Sequence, residues 1–224
     1  MEKFLGVLFC GGRGTRLKEI TNYISKSFIP IYDAPVFRFG LELLERSKIT
    51  DEIILLTNDE NDEKLKTLGY QTIVQDDDVV SDMFNGWEFI KQEMKTDKNG
   101  VLMPSDNISN VKTDALISDF IKQEADVGFS LYTINDKVKL SQMGCYNIEE
   151  GKYYYKSNFL KTDKGVIAPF IVRNNVKVSD FDRVIMNSKV VYREHKGYWF
   201  DIGDNESILN ASEWRKQTNK NLIN

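Results

Sequence analysis

Residues 4–17 read FLGVLFCGGRGTRL, an apolar run that breaks into three glycines and two arginines. An apolar run of this length, at 4–9, is typical of a strand in the centre of a parallel sheet, where both faces are buried. Glycines after such a strand let backbone N–H groups approach an anion, because no Cβ stands in the way. The stretch therefore predicts a phosphate-binding turn at the end of a buried strand.

Two familiar phosphate-binding patterns do not fit this turn. A P-loop requires G-x-x-x-x-G-K-[ST], and no Lys-Ser or Lys-Thr pair follows these glycines at that distance. A dinucleotide-binding G-x-G-x-x-G could start at Gly12, but Leu17 occupies the position of its third glycine. The turn is therefore predicted to hold phosphate in another way.

The first half of the chain alternates apolar strands with helices. Further strands are predicted at 51–57, 70–74 and 100–107, and helices at 36–46, 59–69 and 81–94. The prolines at 30 and 35 predict that residues 25–35 are extended. This alternation predicts a three-layer α/β/α fold with a mostly parallel central sheet.

The second half predicts a small antiparallel insertion and a closing helix. Strands at 125–134, 142–148 and 151–157 come close together, which favours antiparallel pairing beside the main sheet. Later strands are predicted at 165–172 and 188–194, and a closing helix at 206–218. No repeat, linker or low-complexity stretch divides the sequence, so a single domain is predicted over residues 1–224.

The composition limits the class of protein. With 224 residues, of which 41% are hydrophobic, the chain can build a core, and its net charge of −4 argues against binding to nucleic acid. Its two cysteines, Cys10 and Cys145, form neither a disulfide framework nor a metal-ligand cluster. The N-terminal stretch MEKFLGVLFCGG is too short and too rich in glycine to predict a secretory signal, and no apolar run approaches the ~20 residues of a membrane span. These features predict a soluble, cytoplasmic protein.

A longer block of sequence resembles that of a known family. GGRGTRL at 11–17, followed by SKSFIPIYDAPV at 25–36 and a helix, resembles the N-terminal block of the sugar-1-phosphate nucleotidylyltransferases. Ser25, Lys26 and the Pro-Ile-Tyr-Asp at 30–33 are most similar to the glucose-1-phosphate thymidylyltransferase branch. The resemblance implies a Rossmann-like nucleotidyltransferase fold. It also implies an enzyme that joins a nucleoside triphosphate to a sugar 1-phosphate and releases pyrophosphate.

The resemblance also implies which residues hold the nucleotide. Arg16 would offer a bidentate fork to the triphosphate, Lys26 would add a second positive charge, and Gln75 matches a glutamine that reads the base in the family. The implied nucleotide-binding residues are Gly11, Gly12, Gly14, Thr15, Arg16 and Gln75, and the implied catalytic residues are Arg16, Lys26 and Asp106.

Magnesium is the implied cofactor, held by two aspartates that lie far apart in sequence. Asp106 follows an apolar strand in LMPSDN, where the family has Leu-Gly-Asp-Asn. Asp201 lies in GYWFDIGD, which resembles the family's W-x-D-x-G-T block except that Asp204 replaces the threonine. Mg²⁺ prefers carboxylate oxygens beside phosphates, and open α/β sheets bind ligands at their carboxyl ends.

The sequence departs from the family where the base and the acceptor are recognised. Residues 76–84 lack the family's Gly-Leu-Ala loop, which leaves the nucleobase open. The family's Glu-Lys-Pro is matched only by YYYKSN, with Lys156 as the lysine for the acceptor phosphate and Lys161 as the alternative. Ala168 and Pro169 stand where the family has Thr-Gly, so the acceptor stays open as well.

Two other functions remain alternatives. Small relatives in the family transfer cytidylyl groups to acceptors such as phosphocholine, so the first alternative is a cytidylyltransferase for a non-hexose or non-sugar phosphate. The second is a non-catalytic relative that binds a nucleotide or a sugar phosphate. The expected partners are a nucleoside triphosphate and a phosphate acceptor, without nucleic acid or membrane, and a homo-oligomer is compatible with the sequence.

Overall fold

The structure is a computed structural model that describes residues 2–158, 161–177 and 181–223. The strands, numbered along the chain, are β1 (Phe4–Phe9), β2 (Pro30–Ile31), β3 (Ala34–Pro35), β4 (Thr50–Thr57), β5 (Thr72–Val74), β6 (Asn99–Pro104), β7 (Asn107–Ser109), β8 (Val127–Thr133), β9 (Gly144–Asn147), β10 (Lys152–Tyr155), β11 (Lys164–Val172), β12 (Val190–His195) and β13 (Trp199–Asp201). The helices are α1 (Lys18–Thr21), α2 (Phe37–Glu45), α3 (Asp59–Thr67), α4 (Met83–Met94), α5 (Thr113–Lys122), α6 (Lys137–Ser141), α7 (Phe181–Met186) and α8 (Asn205–Ile223), with 3₁₀ turns at Thr15–Leu17 and Lys26–Phe28.

Four parallel strands confirm the predicted sheet. Strand β1 pairs in parallel with β4 on one side and with β6 on the other, and β5 continues the sheet beyond β4. Beyond β6 the sheet becomes antiparallel through β11, which also pairs with β8. The carboxyl ends of β1, β4 and β6 meet at one edge, where Phe9 lies between Leu56 and Pro104. Open α/β sheets bind their ligands at this edge.

Burial of the first strand fixes it at the centre of the sheet. The side chains of Phe4, Leu5, Val7 and Leu8 are fully buried. Each such side chain stabilises the fold by roughly 1.5–3 kcal/mol relative to exposure to water. Helices flank the sheet, and the ring of Phe120 in α5 meets that of Phe4 edge-on at 6.1 Å between centroids. In the part of the chain that the structure describes, no helix is long and apolar enough to cross a membrane.

The predicted antiparallel insertion is present as the β9–β10 hairpin. These two strands pair antiparallel, and β9 joins the main sheet through β11, where Cys145 lies opposite Gly165. Strand β8, which the sequence grouped with the insertion, lies inside the main sheet between β11 and β12. The insertion is therefore a two-stranded extension of the sheet beside the carboxyl edge.

Several local elements differ from the sequence prediction. The segment at 25–35 was predicted to be extended, but it contains the 3₁₀ turn at Lys26–Phe28 before the short β2–β3 hairpin. Its prolines come later, so they leave this turn unrestricted. Helices α5, α6 and α7 and strand β13 were not predicted, although in α5 Leu116, Ile117 and Phe120 are buried on one face at helical spacing.

Candidate active site

The turn after β1 requires glycine at one position in particular. Gly14 has φ of 60°, in the left-handed region that glycine adopts without strain. A Cβ at Gly14 would also lie 2.8 Å from Thr21 Cγ2 and 3.0 Å from Lys26 Cβ. The chain can therefore pass close to Lys26 and continue into the 3₁₀ turn that carries Thr15 and Arg16.

Lys26 is held beside the end of β6 by a buried serine. The hydroxyl of Ser27 donates to the carbonyl of Cys10 at 3.1 Å and lies 2.9 Å from the hydroxyl of Ser105. These contacts join the 3₁₀ turn to the ends of β1 and β6. As a result the ammonium of Lys26 forms an ion pair with the carboxylate of Asp106, and both side chains are largely shielded from water.

Asn107 holds the two predicted metal-binding aspartates together. Its amide nitrogen donates to Asp106 Oδ1 at 2.9 Å and to Asp201 Oδ1 at 3.1 Å. Strand β13 pairs antiparallel with β7 so that Asp201 lies opposite Asn107, and the Ile202 N–H donates to the carbonyl of Asp106 at 2.9 Å. Residues almost a hundred positions apart in sequence thus share one site.

The carboxyl of Asp201 is electrostatically strained. Its burial, together with the negative charge of Asp106, raises the pKa of Asp201 to about 6, and the nearby cations Lys26, Arg16 and Lys139 oppose that rise. The rise in pKa means that the site disfavours two negative charges. A divalent cation between the two carboxylates would relieve this repulsion.

The donor set at this point fits Mg²⁺. Among the described residues, no group of three or more His, Cys, Asp or Glu side chains is arranged to hold a metal by itself. Mg²⁺ commonly binds through one or two carboxylates together with substrate phosphates, so Asp106 and Asp201 could supply the protein's share of such a site. Their shared contact with Asn107 keeps both carboxylates at the same point.

A large cavity opens beside the aspartates. It has a volume of about 770 Å³ and lies between the carboxyl edge of the sheet, the insertion and the start of α8. Arg16, Lys139 and Lys156 line it together with Asp106 and Asp201. The guanidinium of Arg16 lies close to Gly203, where a Cβ would be 3.1 Å from Nη2. The cavity therefore combines positive charge with the two carboxylates.

A smaller cavity lies on the other side of the glycine turn. Its volume is about 260 Å³, and its polar lining includes Gly11, Gln75, Lys26 and Asp106. Its apolar lining is formed by Phe9, Val80, Met83 and Pro104. Apolar walls with a few polar groups are typical of a site for a flat ring.

Gln75 lies directly against the glycine turn. A Cβ at Gly11 would be only 2.1 Å from Gln75 Oε1, so the side-chain amide of Gln75 can lie in this position only because residue 11 is a glycine. Gln75 Nε2 donates to Asp77 Oδ1 at 2.6 Å, and Asp77 also forms an ion pair with Arg13. The residues that replace the family's Gly-Leu-Ala loop therefore contact both Gln75 and the turn.

The structure brings most of the predicted site residues together. Gly11, Gly12, Gly14, Thr15, Arg16, Lys26, Gln75, Asp106, Asp201 and Lys156 all line one of four neighbouring cavities. Lys161 does not line any of these cavities. Its ammonium forms an exposed ion pair with Glu150 at 3.1 Å. The structure therefore favours Lys156 over Lys161 as the residue that faces the cavity.

Three contributors to the site were missed by sequence reasoning. Asn107 and Ser27 were read only as parts of motifs, and no sequence pattern indicated Lys139. The thiol of Cys10 is fully buried, and this burial raises its pKa to about 12. Such a thiol is unreactive at neutral pH, since the thiolate is the reactive form.

The parallel strands of the sheet bring a glycine turn, cations and two carboxylates to their carboxyl ends. This arrangement is typical of α/β enzymes that bind nucleotides. Within that class the chain belongs to the nucleotidyl transferase family, whose family model matches residues 5–149. The chain is therefore a nucleotidyltransferase, and the family resemblance predicted from the sequence is confirmed.

Two curated relatives match almost the whole chain. The chain is 24% identical over 229 residues to a bifunctional sugar-1-phosphate nucleotidylyltransferase/acetyltransferase of Sulfurisphaera tokodaii, with 92% of the chain and 54% of that protein covered. It thus spans about half the length of that relative. It is 25% identical over 251 residues to a glucose-1-phosphate thymidylyltransferase of Neisseria meningitidis, with 98% of the chain and 84% of that protein covered.

A solved structure shares the fold. A Bacillus anthracis protein described as a glucose-1-phosphate thymidylyltransferase superposes with a TM-score of 0.80 at 19% identity, with 94% of each chain covered. The predicted Rossmann-like nucleotidyltransferase fold is therefore confirmed.

Proposed function

We propose that the protein transfers a nucleotidyl group from a nucleoside triphosphate to a sugar 1-phosphate, with Mg²⁺ as its cofactor. The products are a nucleotide sugar and pyrophosphate. The family membership and the names of the relatives in Sulfurisphaera and Neisseria support this reaction. The geometry of the site supports it independently.

The main support for the proposal is that three distant parts of the sequence converge at one site. The turn with Arg16, the end of β6 with Asp106 and the strand β13 with Asp201 converge beside one cavity. Asn107 ties the two carboxylates together. A protein that only binds a nucleotide needs phosphate contacts, but it has no need of two carboxylates that repel each other.

The reaction is a substitution at phosphorus. An oxygen of the acceptor phosphate attacks the α-phosphorus of the triphosphate, and a new P–O bond forms. The bond from the α-phosphorus to the bridging oxygen breaks, and pyrophosphate leaves with that electron pair. The attacking phosphate oxygen already carries negative charge, so no proton needs to be removed. The protein's work is to position the reactants and to stabilise negative charge.

The cations around the turn suit this task. The N–H groups of Gly11, Gly12 and Gly14 would bind triphosphate oxygens, and the fork of Arg16 would bind two oxygens at once. Lys26 would donate to the phosphate at the reacting centre from its position beside Asp106. Asp106 and Asp201 would hold Mg²⁺, which would supply further positive charge to stabilise the phosphates during the reaction.

The two cavities suit the two substrates. The smaller one, with Gln75 at its polar edge and apolar walls, would accept the base of the nucleotide. The larger one, with Lys156 in its lining, would accept the sugar phosphate. Its volume of about 770 Å³ leaves ample room for a hexose phosphate.

Pyrophosphate release with Mg²⁺ tests this function. The four ribonucleoside triphosphates and dTTP are each combined with a panel of sugar 1-phosphates and with phosphocholine. We expect turnover with at least one sugar 1-phosphate, and a loss of about 10²- to 10³-fold in kcat in Asp106→Asn with the fold intact. Turnover with CTP and phosphocholine alone would instead identify a cytidylyltransferase for a non-sugar acceptor.

One result would overturn the enzymatic proposal altogether. It is nucleotide binding, measured by calorimetry, without pyrophosphate release from any pair in the panel. Such a result would favour the non-catalytic alternative.

A further inference from the structure

Lys139 occupies a defined position at the wall of the large cavity. Helix α6 begins after Asp136, whose carboxylate accepts hydrogen bonds from the backbone of Val138 at 2.8 Å and Lys139 at 3.1 Å. Leu140 on the same helix is buried, which fixes the helix against the protein. The side chain of Lys139 is thereby directed into the cavity that Asp106 and Asp201 also line.

The ammonium of Lys139 rests on an aromatic ring of the site. Its nitrogen lies 4.9 Å from the ring centroid of Trp199, two residues before Asp201 on β13. The indole N–H of Trp199 donates to Asn107 at 2.8 Å, so the ring itself is fixed. A cation over a fixed aromatic face is held in place without losing its charge or its hydrogen-bond donors.

Lys139 has no carboxylate partner among the residues that the structure describes. Lys26 and Lys161 differ in this respect, since they form ion pairs with Asp106 and Glu150. Asp201 and Asp204 line the same cavity as Lys139. The ammonium therefore lies near the two aspartates with its donors available to a ligand.

We propose that Lys139 is a second lysine that binds the phosphate group of the acceptor, in the same cavity that Lys156 lines. This inference rests on the proposed function, since it names a contact made by the second substrate of that reaction. A phosphate monoester carries a charge of about −1.5 to −2 at neutral pH, and one lysine does not neutralise it. Lysine is suited to this role as a compact point charge with three donors.

The position of Lys139 favours contact with the acceptor over contact with the base of the nucleotide. Lys139 lines the large cavity with Lys156, whereas the small cavity beside Gln75 has no contribution from α6. Removing the charge of Lys139 should therefore weaken acceptor binding and leave nucleotide binding unchanged. If Lys139 acted only by supporting the ring of Trp199, then removing its side chain would lower the melting temperature and weaken the binding of both substrates.

The test compares Lys139→Ala with Lys137→Ala. The second substitution removes the same charge from the same helix, but Lys137 does not line the cavity. Pyrophosphate release gives KM for each substrate, and calorimetry with α-D-glucose 1-phosphate gives binding without turnover. We expect Lys139→Ala to raise the KM and the Kd for the acceptor about 10-fold or more. We expect its KM for the nucleotide and its melting temperature to match those of Lys137→Ala. Lys139→Arg, which keeps the charge, should recover most of the acceptor affinity.

The outcomes separate this proposal from the proposed function. If the wild type turns over and Lys139→Ala has the acceptor KM of Lys137→Ala, the role of Lys139 is refuted and the function stands. If the wild type binds the sugar phosphate without turnover and Lys139→Ala loses that binding, the reaction is refuted and the phosphate contact stands. Absence of sugar phosphate binding to the wild type would refute the role of Lys139.

Discussion

The amide oxygen of Asn107 accepts a hydrogen bond from the indole nitrogen of Trp199 at 2.8 Å, in a position where both side chains are buried. An asparagine amide can otherwise turn over and exchange its oxygen and nitrogen. Because the indole can only donate, it fixes the amide so that its nitrogen faces Asp106 and Asp201. A buried tryptophan thus sets the arrangement of two carboxylates that it does not contact through a hydrogen bond.

Replacing Asn107 with alanine should impair activity more than it impairs folding. The variant loses the hydrogen bonds to both aspartates, and a displacement of reacting groups by 1 Å can cost about 10²-fold in rate. It also leaves the indole N–H of Trp199 without a partner, at a cost of about 1–3 kcal/mol in the free energy of unfolding. Pyrophosphate release and urea unfolding measure the two effects.

Asn147→Ala is the matched control for that variant. Asn147 is equally buried, and its side chain accepts hydrogen bonds from the backbone of Glu149 and Glu150 away from the aspartates. We expect a comparable loss of stability with kcat preserved. If both alanine variants lost activity in proportion to their loss of stability, Asn107 would have no special role in positioning the aspartates.

The sequence predicted the parts of the site that depend on local pattern. The glycine turn, Lys26, Asp106 and Asp201 were predicted because each lies in a block of sequence that resembles a motif of the family. The sequence did not indicate Asn107 as the link between two strands, since that role depends on pairing of β7 with β13. Lys139 was missed for the same reason: its proximity to Trp199 arises only after folding.

Replacing Asp201 with asparagine should stabilise the metal-free protein at neutral pH. The pKa of this carboxyl rises from 3.8 to about 6 on folding, so stability falls as pH increases between those values. Above pH 6 the ionised carboxylate costs at most about 3 kcal/mol, at 1.36 kcal/mol for each pKa unit. Asparagine carries no such charge, so we expect a higher melting temperature at pH 8, little difference at pH 4, and loss of turnover.

Asp33→Asn provides a control of opposite sign. A hydrogen bond from Arg215 at 2.9 Å holds the pKa of Asp33 below 3.8, so its ionised form stabilises the fold above that pH. The asparagine variant should melt at a lower temperature than the wild type at pH 8. A lower melting temperature in Asp201→Asn as well would contradict the electrostatic strain inferred at Asp201.

Stabilisation of the protein by Mg²⁺ should depend on pH. A metal ligand must be deprotonated, so protons compete with Mg²⁺ at Asp201 as the pH falls below about 6. We expect millimolar Mg²⁺ to raise the melting temperature at pH 8 and to have little effect at pH 5. Asp106→Asn should abolish the shift at pH 8. An equal shift at both pH values would exclude Asp201 as a ligand of the metal.

Removing the charge of Lys26 should reduce kcat without unfolding the protein. Its ammonium is paired with Asp106 beside the glycine turn, and loss of one preorganised charge at a reacting centre costs about 10²- to 10³-fold. Lys91→Ala is the matched control, because Lys91 is 13% exposed against 12% for Lys26 and forms an ion pair with Glu88 at 2.7 Å. We expect Lys26→Ala to lose activity and Lys91→Ala to retain it, with similar melting temperatures. Full activity in Lys26→Ala would show that Lys26 takes no part in the reaction.

Lys156 and Lys161 should respond differently to the same substitution. Lys156 lines the large cavity, and its ammonium lies 4.9 Å from the ring centroid of Tyr155. Lys161 is paired with Glu150 on the surface, where an ion pair contributes about 0–1 kcal/mol to stability. Lys156→Ala should lower kcat/KM for the acceptor by about 10- to 100-fold, because a hydrogen bond to a charged group is worth about 1.5–3 kcal/mol. Lys161→Ala should leave kcat/KM unchanged for both substrates. The reverse pattern would indicate that the acceptor phosphate binds at the surface beside Glu150 and not in the cavity.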